Sequence, residues 1–194
     1  MRRVILASGS PRRFDLLKSV LENFEVITSN YEEDMTLDMK PSELVKFLSK
    51  GKADEVAQRE KGIILGADTI VVLNGKVIGK PKSKEEAKET LKALSNNSHH
   101  VYTGFTIIDT ENNKEIIDFE KTEIIFKELS DEKIEEYIKT GEPMDKAGAY
   151  GIQGLAKEFI LKYNGSYNNI VGLPIEKVKE QSNSFILNLF GLFN

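Results

Sequence analysis

The chain has 194 residues, with 27 Lys and Arg against 31 Asp and Glu and a formal net charge of −4 at pH 7. Without a long basic stripe to neutralise a run of phosphates, this composition argues against a dedicated nucleic-acid binder. There is no cysteine, and the only histidines are the adjacent pair His99 and His100. Disulfides, thiolate catalysis and zinc held by cysteines or a histidine cluster are therefore excluded.

The length suits one compact domain, or two small lobes around a cleft, with a substantial core. The N-terminal stretch Met-Arg-Arg-Val-Ile-Leu-Ala is too short in apolar length for a signal peptide. No apolar run approaches the ~20 residues needed to span a membrane. A soluble, cytoplasmic protein is expected.

Residues 3–7 read as a buried strand and 11–22 as a helix, with Phe14, Leu17, Val20 and Leu21 on one face. Between them lies Ser8-Gly9-Ser10. Pro11 suits the first helical position, where its missing N–H has no intrahelical partner, and Ser10 can cap the free amides behind it. Arg12 and Arg13 add two charges to a helix N-terminus that is already partly positive. The combination suits a polyanion, with phosphate the obvious candidate. It is not the Gly-x-x-x-x-Gly-Lys-Ser/Thr phosphate loop. Taken alone, an ordinary capped helix with two solvated arginines explains it better.

Phe24 to Thr28 alternates like a second strand, and the polar loop Ser29-Asn30-Tyr31-Glu32-Glu33-Asp34 follows. Three successive acids usually mark a solvated turn, but near a phosphate site they can hold a divalent cation. Pro41-Ser42-Glu43 opens a helix to about residue 60 with Leu44, Val45, Leu48 and Val56 inward. Gly51 is expected to interrupt it, and Lys52, directly after, suits either face. Residues 63–73 form the most apolar strand, with Asp68 in its middle. A carboxylate there costs several kcal/mol unless it is paired, hydrogen-bonded or metal-bound. Satisfaction by a lysine or by backbone amides is the purely structural alternative.

Asn74-Gly75 is the strongest hairpin signal in the chain. The return strand 76–79 runs into Gly79-Lys80-Pro81, which places Lys80 near the strand of Asp68. Ser83-Lys84-Glu85-Glu86 is a capping box opening a helix with Ala87, Leu91 and Leu94 on one face. Two long strands, His99–Asp109 and Glu115–Phe126, are joined by residues 110–114. His99 and His100 read as strand residues with satisfied or partly exposed imidazoles, not as metal ligands. Ser130 caps a helix to Thr140, and Gly141 ends it. Residues 141–154 carry four glycines and little periodicity, the composition of an ordered loop passing close to a ligand or another backbone. Residues 155–163 are expected as a final strand, 165–174 as a polar turn, and 175–190 as a closing helix. Interleaved strands and helices make the class α/β or α+β with a mixed sheet.

Five blocks, in order and with family-like spacing, resemble the Maf family of nucleoside triphosphate pyrophosphatases. They are Ala7–Arg13, Gly66-Ala67-Asp68-Thr69 with Gly79-Lys80-Pro81, Tyr102-Thr103-Gly104, Gly141–Gly154, and Val171-Gly172-Leu173-Pro174. The resemblance implies one domain over residues 1–194. Its fold would be the one shared with inosine triphosphate pyrophosphatases: a long, twisted mixed β-sheet flanked by helices, in two lobes around a central cleft. It also implies hydrolysis of a nucleoside triphosphate between the α- and β-phosphates. A triphosphate carries about four negative charges, which Arg12, Arg13, Lys52 and Lys80 can offset together with a divalent ion. With no cysteine or histidine cluster, that ion is expected to be Mg²⁺ or Mn²⁺, on Glu32 and Asp68. Asp68 matches the position of the family's proton acceptor.

The family branch acting on dTTP and UTP carries an arginine, a threonine and a glutamine in its pocket. Here these fall at Arg12, Thr69 and Gln153, and the amide of Gln153 can complement the O4/N3–H edge of a pyrimidine. Leu94-Ser95-Asn96-Asn97 departs from the pattern in lacking the glycine usual after Leu-Ser. The alternative function is a nucleotide-binding regulator of cell division and septum formation without turnover, against which the retention of Asp68 and Glu32 counts. A homodimer is expected from the commonness of that symmetry and from the resemblance.

Overall fold

The computed structural model describes residues 2–34 and 37–185. Its strands are β1 (Val4–Leu6), β2 (Glu25–Val26), β3 (Ile63–Leu73), β4 (Lys76–Ile78), β5 (Ser98–Asp109), β6 (Lys114–Phe126) and β7 (Ile160–Asn164). The helices are α1 (Pro11–Lys18), α2 (Pro41–Ala57), α3 (Lys84–Leu94), α4 (Asp131–Lys139), α5 (Tyr167–Val171) and α6 (Ile175–Phe185). The strands form one sheet in the order β2-β1-β3-β5-β6-β7, with β4 also on β3. β1 runs parallel to β2 and β3, whereas β4 on β3 and β7 on β6 are antiparallel. The sheet is mixed and the class α/β, as the interleaved pattern predicts.

β3 is the central element. All of its residues except Thr69 are buried, which explains the mostly apolar run as a strand covered on both faces. Asn74 and Gly75 adopt φ of 50° and 77°, the left-handed pair that a tight hairpin requires. Asn96 has φ 55°, so asparagine supplies the left-handed turn at the position where the family pattern has glycine. The caps also form as read. Ser10 Oγ accepts from the Arg13 amide, Ser83 Oγ from Glu86 and Ser130 Oγ from Lys133.

Four expectations are corrected. α1 ends at Lys18 rather than 22, because the Ser19 hydroxyl donates back to the Leu16 carbonyl at 2.7 Å and competes with further helix. α2 continues through Gly51 without a break. A side chain there would meet the Tyr31 ring, with an added Cβ only 2.4 Å from Cζ, so the glycine makes room rather than breaking the helix. Leu155–Phe159 is a 3₁₀ turn, not strand, because Ala156 and Phe159 are buried at i, i+3 spacing. Finally, the expected polar turn contains α5. Ser166 Oγ accepts from the Asn169 amide, and the buried Asn169 Nδ2 donates to the Val101 carbonyl and to Thr122 Oγ1. Of the expected closing helix, residues 186–190 lie outside the described residues.

Contacts divide the chain into two units. The first comprises residues 1–68, 103–120 and 172–194, and the second residues 69–102 and 121–171. In the first, Leu6, Leu17, Ile63, Leu65, Phe105 and Leu173 pack one core, while Ile5, Ala7, Ile64, Ala53 and Val56 form another beneath α2. Here α2 lies directly on the strands. A Cβ on Gly66 would come 2.6 Å from the Ser49 carbonyl oxygen, and one on Gly104 only 2.2 Å from that of Val45. The buried Ser49 Oγ and Thr106 Oγ1 meet at 2.9 Å across the same contact. In the second unit, α3 and α4 cover Val71, Leu73, Val101, Ile124 and Phe126.

Candidate active site

The close seating of α2 decides what meets Asp68. In a strand, residues i and i+2 share a face, so Asp68 stands on the same side as Gly66 and looks towards the helix. On α2, Lys52 lies three residues beyond Ser49, whose carbonyl abuts Gly66. The Lys52 ammonium donates to Asp68 Oδ1 at 2.5 Å and lies 2.7 Å from Glu33 Oε1. Asp68 is 5% exposed, and its second oxygen, Oδ2, is buried with no hydrogen-bond partner among the described residues. Burial pushes the Asp68 carboxyl above the usual carboxylate range, opposed by the charges of Lys52 and Arg13.

Arg13 is anchored twice. Its Nε donates to the Gly172 carbonyl at 2.8 Å and its Nη1 to Ser8 Oγ at 3.1 Å. Thus the first and last sequence blocks meet at one guanidinium. Burial lowers its pKa, and the neighbouring charges of Asp68 and Glu33 work in the other direction. Arginine's very high starting value keeps the group cationic.

Glu33 arrives on a loop fastened along α2. The Asn30 amide donates to Glu55 Oε2 at 3.0 Å, Arg59 donates to the Thr28 carbonyl at 3.0 Å, and the Tyr31 ring fills the space over Gly51. Tyr31 and Glu33, two residues apart, both meet the helix, Glu33 through Lys52 although, like Glu32, it is exposed. The acid that shares Lys52 with Asp68 is Glu33, the neighbour of Glu32, the carboxylate expected to hold a metal ion. Nothing in the sequence tells which member of the acidic run reaches Lys52. Ser8 and the Gly172 carbonyl were also missed as partners of Arg13, although both lie inside family-like blocks.

Of the expected residues, Arg13, Lys52 and Asp68 come together in the first unit, and half-buried Arg12 adjoins Arg13 on α1. Thr69, Lys80 and Gln153 belong to the second unit. Thr69 is half-buried on β3, Lys80 is exposed two residues past β4, and Gln153 is exposed beside the buried Ile152.

The donor set suits a hard divalent cation. Among the described residues no three His, Cys, Asp or Glu side chains gather into a protein cage. Yet Asp68 Oδ2 is an unpartnered buried carboxylate oxygen, and a second carboxylate lies across the same lysine. One or two carboxylates completed by water and substrate phosphates is the usual environment of Mg²⁺.

Residues 3–185 match the family model described as Maf-like protein. The dTTP/UTP pyrophosphatase of Clostridium tetani is 53% identical over 178 residues, covering 90% of this chain and 93% of that protein. The protein of the same name from Alkaliphilus oremlandii is 50% identical over 180 residues, covering 92% and 93%. That of Clostridium botulinum (strain 657 / Type Ba4) is 46% identical over 195 residues, covering 97% and 100%. Among solved structures, a nucleoside-triphosphatase / dITP/XTP pyrophosphatase from Mycobacterium abscessus aligns over 96% of this chain and 97% of its own. Its identity is 13% and its TM-score 0.47. The match runs through every block that builds the Asp68 site, and the chain belongs to the Maf family.

Proposed function

We propose that this chain hydrolyses nucleoside triphosphates, dTTP and UTP foremost, to the monophosphate and pyrophosphate. The family match and the names of its relatives support the reaction class. The observation that carries the chemistry is Asp68: a buried carboxylate with one oxygen held by Lys52 and the other without a partner.

In this reading the attacking water binds at Asp68 Oδ2. Its oxygen forms a bond to the α-phosphorus as the bond from that phosphorus to the bridging oxygen breaks. The water proton passes to Asp68, and the departing pyrophosphate carries away the electron pair. Lys52 keeps Asp68 oriented, and its charge favours the ionised carboxylate against the effect of burial. Arg12, Arg13 and Lys80 offset charge on the phosphates, and the N-terminal amides of α1 add their partial positive charge. Asp68 with a carboxylate of the Glu32–Glu33 pair would hold Mg²⁺ or Mn²⁺, which when bound supplies charge neutralisation of the phosphates. Arg12, Thr69 and Gln153 select the pyrimidine, Gln153 by pairing its amide with the base edge.

No helix among the described residues is long and apolar enough to cross a membrane. We take the chain to be a cytoplasmic enzyme acting on a nucleotide pool, and its working form to be a homodimer. The test is pyrophosphate release with Mg²⁺ or Mn²⁺ from a panel of nucleoside triphosphates. Turnover led by dTTP or UTP supports the whole reading. Turnover led by a purine or methylated triphosphate keeps the reaction and removes the roles given to Arg12, Thr69 and Gln153. No release from any of them refutes it.

A further inference from the structure

The loop around Gln153 is built more firmly than an exposed glutamine needs. The segment Gly151-Ile152-Gln153-Gly154 has one buried anchor, Ile152, and the exposed Gln153 stands next to it. Both flanking glycines press on the turn Glu142–Asp145 and the residue after it. A Cβ on Gly154 would lie 1.9 Å from Glu142 Oε1, and one on Gly151 would lie 2.9 Å from Lys146 Cε. The Glu142 carboxylate is committed on both oxygens. Tyr137 Oη donates to Oε1 at 3.0 Å, and the Leu155 amide donates to Oε2 at 3.1 Å. Tyr137 is itself fixed, buried in the core with its ring edge-on to Phe159. Lys146 closes the other side, donating to the Glu142 carbonyl and to Asp145 Oδ1, each at 2.7 Å.

We infer that Glu142 is a positioning residue for substrate selection. Its carboxylate ties α4, through Tyr137, to the backbone two residues beyond Gln153, and so fixes where the Gln153 amide is presented. The inference rests on the reading that Gln153 selects the base. The Leu155 amide can only donate, so the atom facing it must accept, whereas the Tyr137 hydroxyl both donates and accepts and is satisfied by a carboxylate or an amide. Truncating Glu142 to alanine removes both contacts and releases the Leu155 amide and the loop from α4. A freely rotating side chain on a loose loop discriminates poorly, because the wrong base can recruit another rotamer. Discrimination by hydrogen bonding needs donor and acceptor fixed in place.

The experiment compares Glu142→Ala, Tyr137→Phe, Gln153→Ala and the double variant Glu142→Ala/Gln153→Ala. For each, kcat/KM is measured for UTP and for a purine triphosphate, and amide exchange is measured at Leu155. Glu142→Ala should lower the UTP-to-purine preference at least about threefold and speed Leu155 exchange roughly tenfold or more. Tyr137→Phe, which keeps the buried ring, should do the same more weakly. In the double variant the preference should equal that of Gln153→Ala alone, since a brace has nothing to position once the amide is gone. Equal loss of kcat/KM for both nucleotides, or an additive double variant, overturns the positioning role. If Gln153→Ala changes the preference while Glu142→Ala does not, only the brace fails. If Gln153→Ala itself leaves the preference unchanged, the assignment of Gln153 to the base fails, and the brace fails with it.

Discussion

Replacing Asp68 by asparagine separates what this carboxylate does for turnover from what it does for the fold. The side chain keeps its shape and its contact with Lys52 through Oδ1, but the atom at Oδ2 becomes an amide nitrogen that takes no proton from water. Loss of a positioned general base costs ~10²-fold or more in turnover. That corresponds to about 2.7 kcal/mol or more of barrier. Two effects on stability oppose each other. Burial raises the Asp68 pKa, so at neutral pH the ionised form is disfavoured in the folded chain, and a neutral amide relieves that cost. Against this, a buried N–H without an acceptor costs about 1–3 kcal/mol. For a chain of this size each kcal/mol moves the melting temperature by roughly 2–4 °C, so the variant should melt within about 5 °C of the parent. Coupled pyrophosphate release and melting followed by circular dichroism read the two quantities on one preparation. Turnover within about threefold of the parent would refute the base assignment. A fall in melting temperature beyond ~10 °C would refute the claim that this charge serves chemistry at little benefit to the fold.

Three further outcomes are expected. Lys52→Gln removes the main charge holding the Asp68 pKa down, so the acid limb of the pH profile of kcat/KM should move to higher pH; an unmoved limb would separate Lys52 from Asp68. Gly104→Ala drives a methyl into the Val45 carbonyl, 2.2 Å away, and lifts α2 from the strands. It should cost about 1–3 kcal/mol in denaturant unfolding and lower turnover as well, and retention of both would show that the close seating is not needed. His99 is buried, and burial pushes its pKa down to about 4 from 6.5. The unfolded chain then takes up a proton as pH falls through 6.5, whereas the folded chain waits until about 4. Stability is therefore lost across that interval, by roughly 3 kcal/mol at its lower end. In His99→Gln the drop in urea midpoint between pH 7 and pH 4.5 should shrink; an unchanged drop would remove His99 as its source.

Much of the fold was written in local pattern. The mostly apolar run of 63–73, the Asn74-Gly75 turn and the serine caps each act within a few residues, and each formed as read. The misread elements depend on partners distant in sequence. Gly51 reads as a weak point in a helix until Tyr31 lies over it. Leu155–Phe159 contains apolar residues that suit a strand, yet Ala156 and Phe159 face one core only as a 3₁₀ turn. At the site, Asp68 was conspicuous because a carboxylate inside an apolar strand demands an explanation. Lys52 fitted either face of its helix until Gly66 and Gly104 set the helix down on the sheet. That Glu33 is the acid paired with Lys52 follows from how the loop is fastened to α2, which periodicity does not encode.

The most direct test of the account is the rate of pyrophosphate release from UTP and dTTP by the parent chain with Mg²⁺, set beside Asp68→Asn under the same conditions. The account predicts turnover by the parent and a loss of ~10²-fold or more in a variant that remains folded. Comparable release by the two chains, or none by the parent, would contradict it.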